Sequence, residues 1–152
     1  MSSQDKLRSH ILSGAKDNSS KSSGTLAGEI TNLITGIKYE VTSGIFYRFT
    51  GDYPRVAISG ADPEGDGNGY EINMHFLEND PPSGTYTVGG DNWKGCSYSR
   101  WPDEQYFFAE SGELRLLNFE SVTTLEGELS FVTHVGNQRQ YKVDVTFKVV
   151  GW

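Results

Sequence analysis

The sequence is poor in sulfur, in basic charge and in long apolar runs, and each shortage excludes something. A single cysteine, Cys96, sits among 152 residues. One thiol cannot close an internal disulfide, which agrees with a reducing compartment and makes a cytoplasmic location the default expectation. A serine-rich start, common to several non-classical secretion routes, is the competing reading. No window of about 18 apolar residues exists, so no membrane-spanning helix is expected. Ile11-Leu12 is too short for the apolar core of a secretory signal. Thirteen Lys and Arg stand against twenty Asp and Glu, a formal net charge of −7. Such a body repels phosphate backbones and carries no basic stripe, so nucleic acid is not an expected partner.

What is present points to β-structure. Eighteen glycines and 12% aromatic residues, with Thr and Val throughout, suit a turn-rich all-β chain. The length fits one domain, able to bury roughly 70% of its unfolded surface without disulfides or metal. Residues 1–24 hold eight serines and few apolar side chains. They read as a disordered Ser-rich tail, with Leu7, Ile11 and Leu12 able to make one or two amphipathic turns. Asn18 to Gly24 reads as a linker, and the β-domain is expected over residues 25–152.

The clearest element lies near the C-terminus. Tyr141, Val143, Val145, Phe147 and Val149 alternate with Lys142, Asp144, Thr146 and Lys148. A period of two over nine residues marks a half-buried strand. Leu125, Gly127, Leu129 and Phe131 form the partner face, and Val135-Gly136-Asn137-Gln138 supplies the turn. Upstream, turns are predicted at Thr35-Gly36, Ser43-Gly44 and Ser111-Gly112, and a bulge at Leu116-Leu117. Ile45, Tyr47 and Phe49 are predicted to face inward, with Phe46 on the polar side. About nine or ten short hairpin-connected strands make an antiparallel β-sandwich or β-barrel the expected fold, and Trp152 a candidate cap for one end.

The series Gly84-Thr85-Tyr86, Ser111-Gly112-Glu113-Leu114-Arg115-Leu116 and Leu125-Glu126-Gly127-Glu128-Leu129-Ser130-Phe131 resembles uncharacterised bacterial all-β domain families. These are described as lipocalin-like or sandwich-like and often occur as small lipoproteins. This chain has Leu129 where Phe is usual and no lipoprotein cysteine. The resemblance implies a fold, and neither an activity nor site residues.

Two stretches could carry function. The loop Asp62-Pro63-Glu64-Gly65-Asp66-Gly67-Asn68 places the oxygen ligands Asp62, Glu64, Asp66 and Asn68 at alternate positions, as Ca²⁺ requires. The bidentate Glu of a Ca²⁺ loop is absent, so an acidic surface loop is the plainer reading and no other cofactor is implied. The stretch Trp93–Phe108 is rich in rings. Trp93, Tyr98, Trp101 and Tyr106, with Arg100 between them, could stack on a small molecule or grip a protein, or could plug a barrel end.

The remaining candidates are weaker. His10, His75 and His134 have no metal-ligand spacing and read as solvated. Cys96 lacks a nucleophile-elbow context and reads as a bystander thiol. Glu71, Glu78 and Asp80 could form a glycosidase-like carboxylate pair, but acidic residues are too frequent for that to count. A non-catalytic binding module is therefore the leading expectation. A small hydrolase or isomerase working in a barrel mouth is the second, and a Ca²⁺-stabilised structural domain the third.

Overall fold

The computed structural model describes residues 18–64, 69–101 and 105–151, with residues 18–20 and 101 described by their backbone only. Nine strands run β1 (Asn18–Asn32), β2 (Ile37–Thr50), β3 (Arg55–Ala61), β4 (Gly69–His75), β5 (Gly84–Thr87), β6 (Gly95–Trp101), β7 (Gln105–Phe119), β8 (Thr124–Thr133) and β9 (Tyr141–Val150). Eight of them form a closed antiparallel barrel in the order β1-β2-β3-β4-β6-β7-β8-β9, sealed by β9 pairing back onto β1. The ninth, β5, pairs with Gly84–Thr87 against Leu116–Glu113 of β7. It prolongs the edge of β7 that β6 occupies from Gln105 to Phe108. Of the two expected architectures, the chain adopts the barrel.

Alternation explains the closing strands. Tyr141, Val143, Val145, Phe147 and Val149 are all buried and point inward, while Lys142, Thr146 and Lys148 are exposed. Leu129 pairs with Val145 and Phe131 with Val143, the register that puts both apolar rows on one face. Gly136 and Arg139 bridge across the turn, where Asn137 and Gln138 take positive φ of 49° and 59°. Gly127 lies directly beside Phe147, whose ring sits 2.3 Å from where a Cβ would be, so only glycine fits beneath it.

The interior is filled by side chains, as an eight-stranded barrel permits. Tyr70, Tyr98, Tyr141, Phe46, Phe76 and Phe131 are the largest of those fully closed to solvent. Each fully buried aliphatic or aromatic side chain contributes about 1.5–3 kcal/mol of transfer free energy.

Several expectations change. Strand β1 begins at Asn18, so residues 18–24 belong to the barrel rather than to a linker, residues 18–23 pairing with β2 and Gly24 with Val149 of β9. Ser43-Gly44 is not a turn: β2 runs through it, and β1 carries one extra residue opposite, between Ser23 and Leu26. The inward face of β2 changes phase there, from Val41 to Phe46. Phe46 is consequently fully buried, while Ile45 is exposed and Tyr47 and Phe49 are half-buried on the outer side. Ser111-Gly112 likewise lies within one long strand, β7. Its bulge falls between Ala109 and Ser111, not at Leu116-Leu117, where register with β8 is unbroken. His75 is 1% exposed, not solvated. Residues 95–101, within the ring-rich stretch, form β6. Trp152 and the tail before Asn18 lie outside the described residues.

Candidate functional site

The barrel has two ends. The upper end carries the β1–β2, β3–β4, β6–β7 and β8–β9 connections; the lower end carries β2–β3, β7–β8 and the loops around β5. At the upper end a polar cluster is built into the barrel by alternation. On β6, inward positions are Cys96, Tyr98 and Arg100, so the guanidinium is delivered to the top of the interior and its side chain is 4% exposed. Ala61 ends β3, and the chain turns so that the Asp62 carboxylate, 0% exposed, meets it.

Arg100 donates from Nη2 to Asp62 Oδ2 at 2.5 Å and from Nε to the same oxygen at 3.2 Å. Asp62 Oδ1 also accepts from the Glu64 backbone N–H at 3.0 Å, an Asx turn that fixes the loop. Glu64 Oε1 lies 3.6 Å from Arg100 Nε and accepts from the Tyr141 hydroxyl at 2.5 Å. Arg139 Nη1 stands 3.9 Å from the same carboxylate and donates to the Tyr141 oxygen at 3.3 Å. Asn32 Nδ2 donates to Glu64 Oε2 at 3.3 Å. The rings of Tyr98 and Phe107 pack on Tyr141 with centroids 4.7 and 5.1 Å away.

Two arginines and two carboxylates leave this cluster neutral, with charge-assisted hydrogen bonds joining five elements of chain. Burial works against the Arg100 charge, but the hydrogen bond to Asp62 and the surrounding electrostatics of Tyr141, Asp62 and Glu64 together outweigh it, and the guanidinium's pKa rises above its ordinary value. Burial raises the phenols of Tyr98 and Tyr141 well above their usual value, the latter helped by its bond to Glu64. Burial also raises Tyr70, to about 12. Neutral phenols and carboxylates already engaged by arginine, tyrosine and asparagine suit binding and rigidity better than proton transfer.

The cluster is tied to the surface through Asn32. Its side-chain oxygen accepts from the backbone N–H groups of Ile34 and Thr35 at 3.0 and 3.3 Å, locking the tip of the β1–β2 hairpin. That tip presents Leu33, Ile34 and Ile37, which are 40%, 56% and 50% exposed. Val135 on the β8–β9 turn is 64% exposed, and Leu33 N–H bonds to Gln140 O at 2.7 Å, so the two turns lie side by side. An aliphatic rim thus surrounds a half-open charge pair, with Arg139 32% and Glu64 15% exposed at the side chain.

The residues singled out from sequence are redistributed. Tyr98 and Arg100 of the aromatic stretch meet Asp62 and Glu64 of the acidic loop in one cluster. Asp66 and Asn68 lie outside the described residues, and Asp62 is committed to Arg100. Among the described residues no group of three or more His, Cys, Asp and Glu is placed to hold a metal ion. Trp93 is elsewhere: it is 4% exposed at the lower end, packed on Tyr86, which packs on Phe76. The Trp93 ring takes the barrel-end position that was the alternative to a stacking surface. Tyr106 is half-buried on the outer wall opposite Ser99. Only the backbone of Trp101 is described, ending β6 beside Gly69. The Cys96 thiol is buried and pushed up by that burial.

Asn32, Arg139 and Tyr141 were missed from sequence. The signal available was a tyrosine opening an otherwise aliphatic strand face, since a buried phenol needs a partner for its hydroxyl.

Elsewhere, two broad depressions of 580 and 550 Å³ mark the outer wall of β7, β8, β9 and β1. Their charges are mutually paired, Lys148 with Glu126 at 3.8 Å and Arg115 with Glu113 at 3.0 Å, as on a solvated wall. No described helix is long and apolar enough to cross a membrane. No protein-family model, curated protein or solved structure matches this chain.

Proposed function

We propose that this protein is a non-catalytic binding module and that its recognition surface is the upper end of the barrel. Leu33, Ile34, Ile37 and Val135 form the contact rim, with Glu64 and Arg139 as the polar centre. The observation that carries this reading is Asn32. One side chain both locks the aliphatic hairpin tip and bonds to Glu64, so the exposed apolar residues are held in place before any partner arrives. A contact surface ordered in advance loses less entropy on binding. Aliphatic side chains on projecting turns suit another protein's surface better than an enclosed small molecule.

Each rim side chain covered by a partner would contribute about 1–2 kcal/mol, so placing charge on two of them should weaken binding by about a hundredfold or more. The test is affinity capture with wild-type and Ile34→Asp/Val135→Asp chains as parallel baits. The expected result is a partner recovered by the wild type alone, which then binds the purified wild-type chain in calorimetry. Both substituted positions are exposed, so the thermal midpoint should stay unchanged. A purified partner that binds both chains equally would sink the assignment of the rim.

A further inference from the structure

The outer wall of β2, β3, β4, β6 and β7 is unlike the rest of the barrel's exterior. Strand register sets its side chains in rows. One row runs Tyr47, Ala57, Asn73, Ser97, Phe108, and the next runs Phe49, Arg55, His75, Gly95. Aromatic residues stand on β2 and β7, and small or polar residues lie between them, so the wall is a trough. Its floor points away from the barrel interior, because Val56, Ile72, Met74, Cys96 and Tyr98 occupy the inward positions of the same strands.

That floor is nevertheless closed to solvent. Ala57 and Asn73 are each 1% exposed, His75 1%, Ser97 0% and Ser99 4%. Every described strand belongs to the one barrel sheet, so among the described residues no second layer of strands lies over this wall. Asn73 Oδ1 and Ser97 Oγ are also buried there without a hydrogen-bond partner. A floor of this kind belongs under a covering segment that brings polar groups as well as apolar ones.

We propose that residues 1–17 of this chain are that cover, seated across the outer faces of β3, β4 and β6. The chain enters the barrel at Asn18, paired with Thr50, and Ser19 pairs with Phe49 at the lower margin of the trough. Phe49 to Gly95 is three strand spacings, about 14 Å, whereas a segment the length of residues 1–17 spans about 25 Å even as a helix. Leu7, Ile11 and Leu12 fall at helical spacing on one face, and Ser9, His10 and Ser13 beside them supply donors and acceptors. Lys6, Arg8 and Lys16 outnumber Asp5 and Asp17, which suits Glu71 on the floor and the acidic body beyond. The trough thus acts as a receptor for the chain's own N-terminus, separate from the rim at the upper end.

Thiol labelling in the full chain tests this. The wild type is the blank, because its lone thiol, Cys96, is buried. A Ser97→Cys chain should react slowly with a maleimide. The same chain carrying Leu7→Asp and Ile11→Asp should react at least tenfold faster, with an unchanged β-sheet circular dichroism signal. Ala57→Cys provides a second probe on the same row if Ser97→Cys does not fold. Fast labelling with the N-terminal segment unaltered would overturn the proposal, as would equally slow labelling in both chains. Protection that disappears on dilution would assign the cover to a second copy of the chain and overturn it too.

Discussion

The two ends of the barrel are closed by opposite chemistry. At the lower end, Phe76, Tyr86 and Trp93 form an aromatic plug, with successive ring centroids 5.7 and 6.3 Å apart. The Tyr86 hydroxyl donates to Pro82 O at 2.5 Å and the Phe76 backbone N–H to Pro54 O at 2.8 Å. At the upper end, Arg100, Asp62, Glu64, Tyr141, Arg139 and Asn32 form a network in which each member satisfies another. An apolar plug needs volume and tolerates approximate shape. A buried ionic network needs every partner, because removing one leaves a desolvated charge behind. The aromatic end can therefore drift in sequence at modest cost, while the polar end holds its geometry only as a complete set. A surface meant to be read by a partner belongs at the end with the fixed geometry.

The contrast can be broken most sharply at Arg100. Arg100→Ala should cost about 3–5 kcal/mol, since it strands the Asp62 carboxylate. Adding Asp62→Leu should recover most of that loss in denaturant unfolding. If the double variant is no more stable than the single, desolvation of Asp62 is not what makes the upper end intolerant.

Alkali sharpens the comparison next. Tyr70, Tyr98 and Tyr141 all have pKa values raised by burial, Tyr70 to about 12. A group that keeps its proton longer when folded contributes stability that is whole below the unfolded value, about 10, and is lost above it. Stability should hold level from pH 7 to about 9 and fall between about 10 and 12, with phenolate absorbance rising as the chain unfolds. Tyr98→Phe should shallow that fall. A phenolate signal that appears in full near pH 10 without unfolding would show these hydroxyls to be open to solvent.

The smallest effect is expected at the lower end. Trp93→Phe keeps a ring in the plug and should cost under about 1.5 kcal/mol. A loss as large as that of Arg100→Ala would erase the distinction between the two ends.

Much of this architecture is visible in the sequence where one strand keeps one phase. Tyr141 to Val149 alternate without interruption, and so the β8–β9 hairpin, its register and its turn follow directly. Strand β2 defeats the same reasoning, because its inward face changes phase at Ser43-Gly44 while the strand continues. Glycine there, and at Gly112, permits a bent strand to go on as readily as it permits a turn, and local sequence does not separate the two. The site is legible only in fragments. Tyr98, Arg100, Asp62 and Glu64 each stand out, but as an aromatic stretch and an acidic loop. Asp62 and Arg100 lie 38 positions apart, and only the pairing of β3, β4 and β6 brings them together. Trp93 has two readings in sequence, a stacking surface or a barrel-end plug, and only the loop folded over the barrel end, which buries its ring, separates them.

The seam that closes the barrel sets the order of events when the chain first folds. Strand β1 pairs with β9 from Ser23 to Asn32, and Ser22 reaches Gly151, 129 positions away. Contacts between such distant positions gain nothing until the intervening loop has been closed, which makes them late and slow. Before β9 exists, β1 can pair on one side only and β8 lacks its second neighbour. An emerging chain consequently has no self-contained half to set aside as it is synthesised. The barrel is completed only once the ribosome has made Val150, and until then the seam between β1 and β8 stands open.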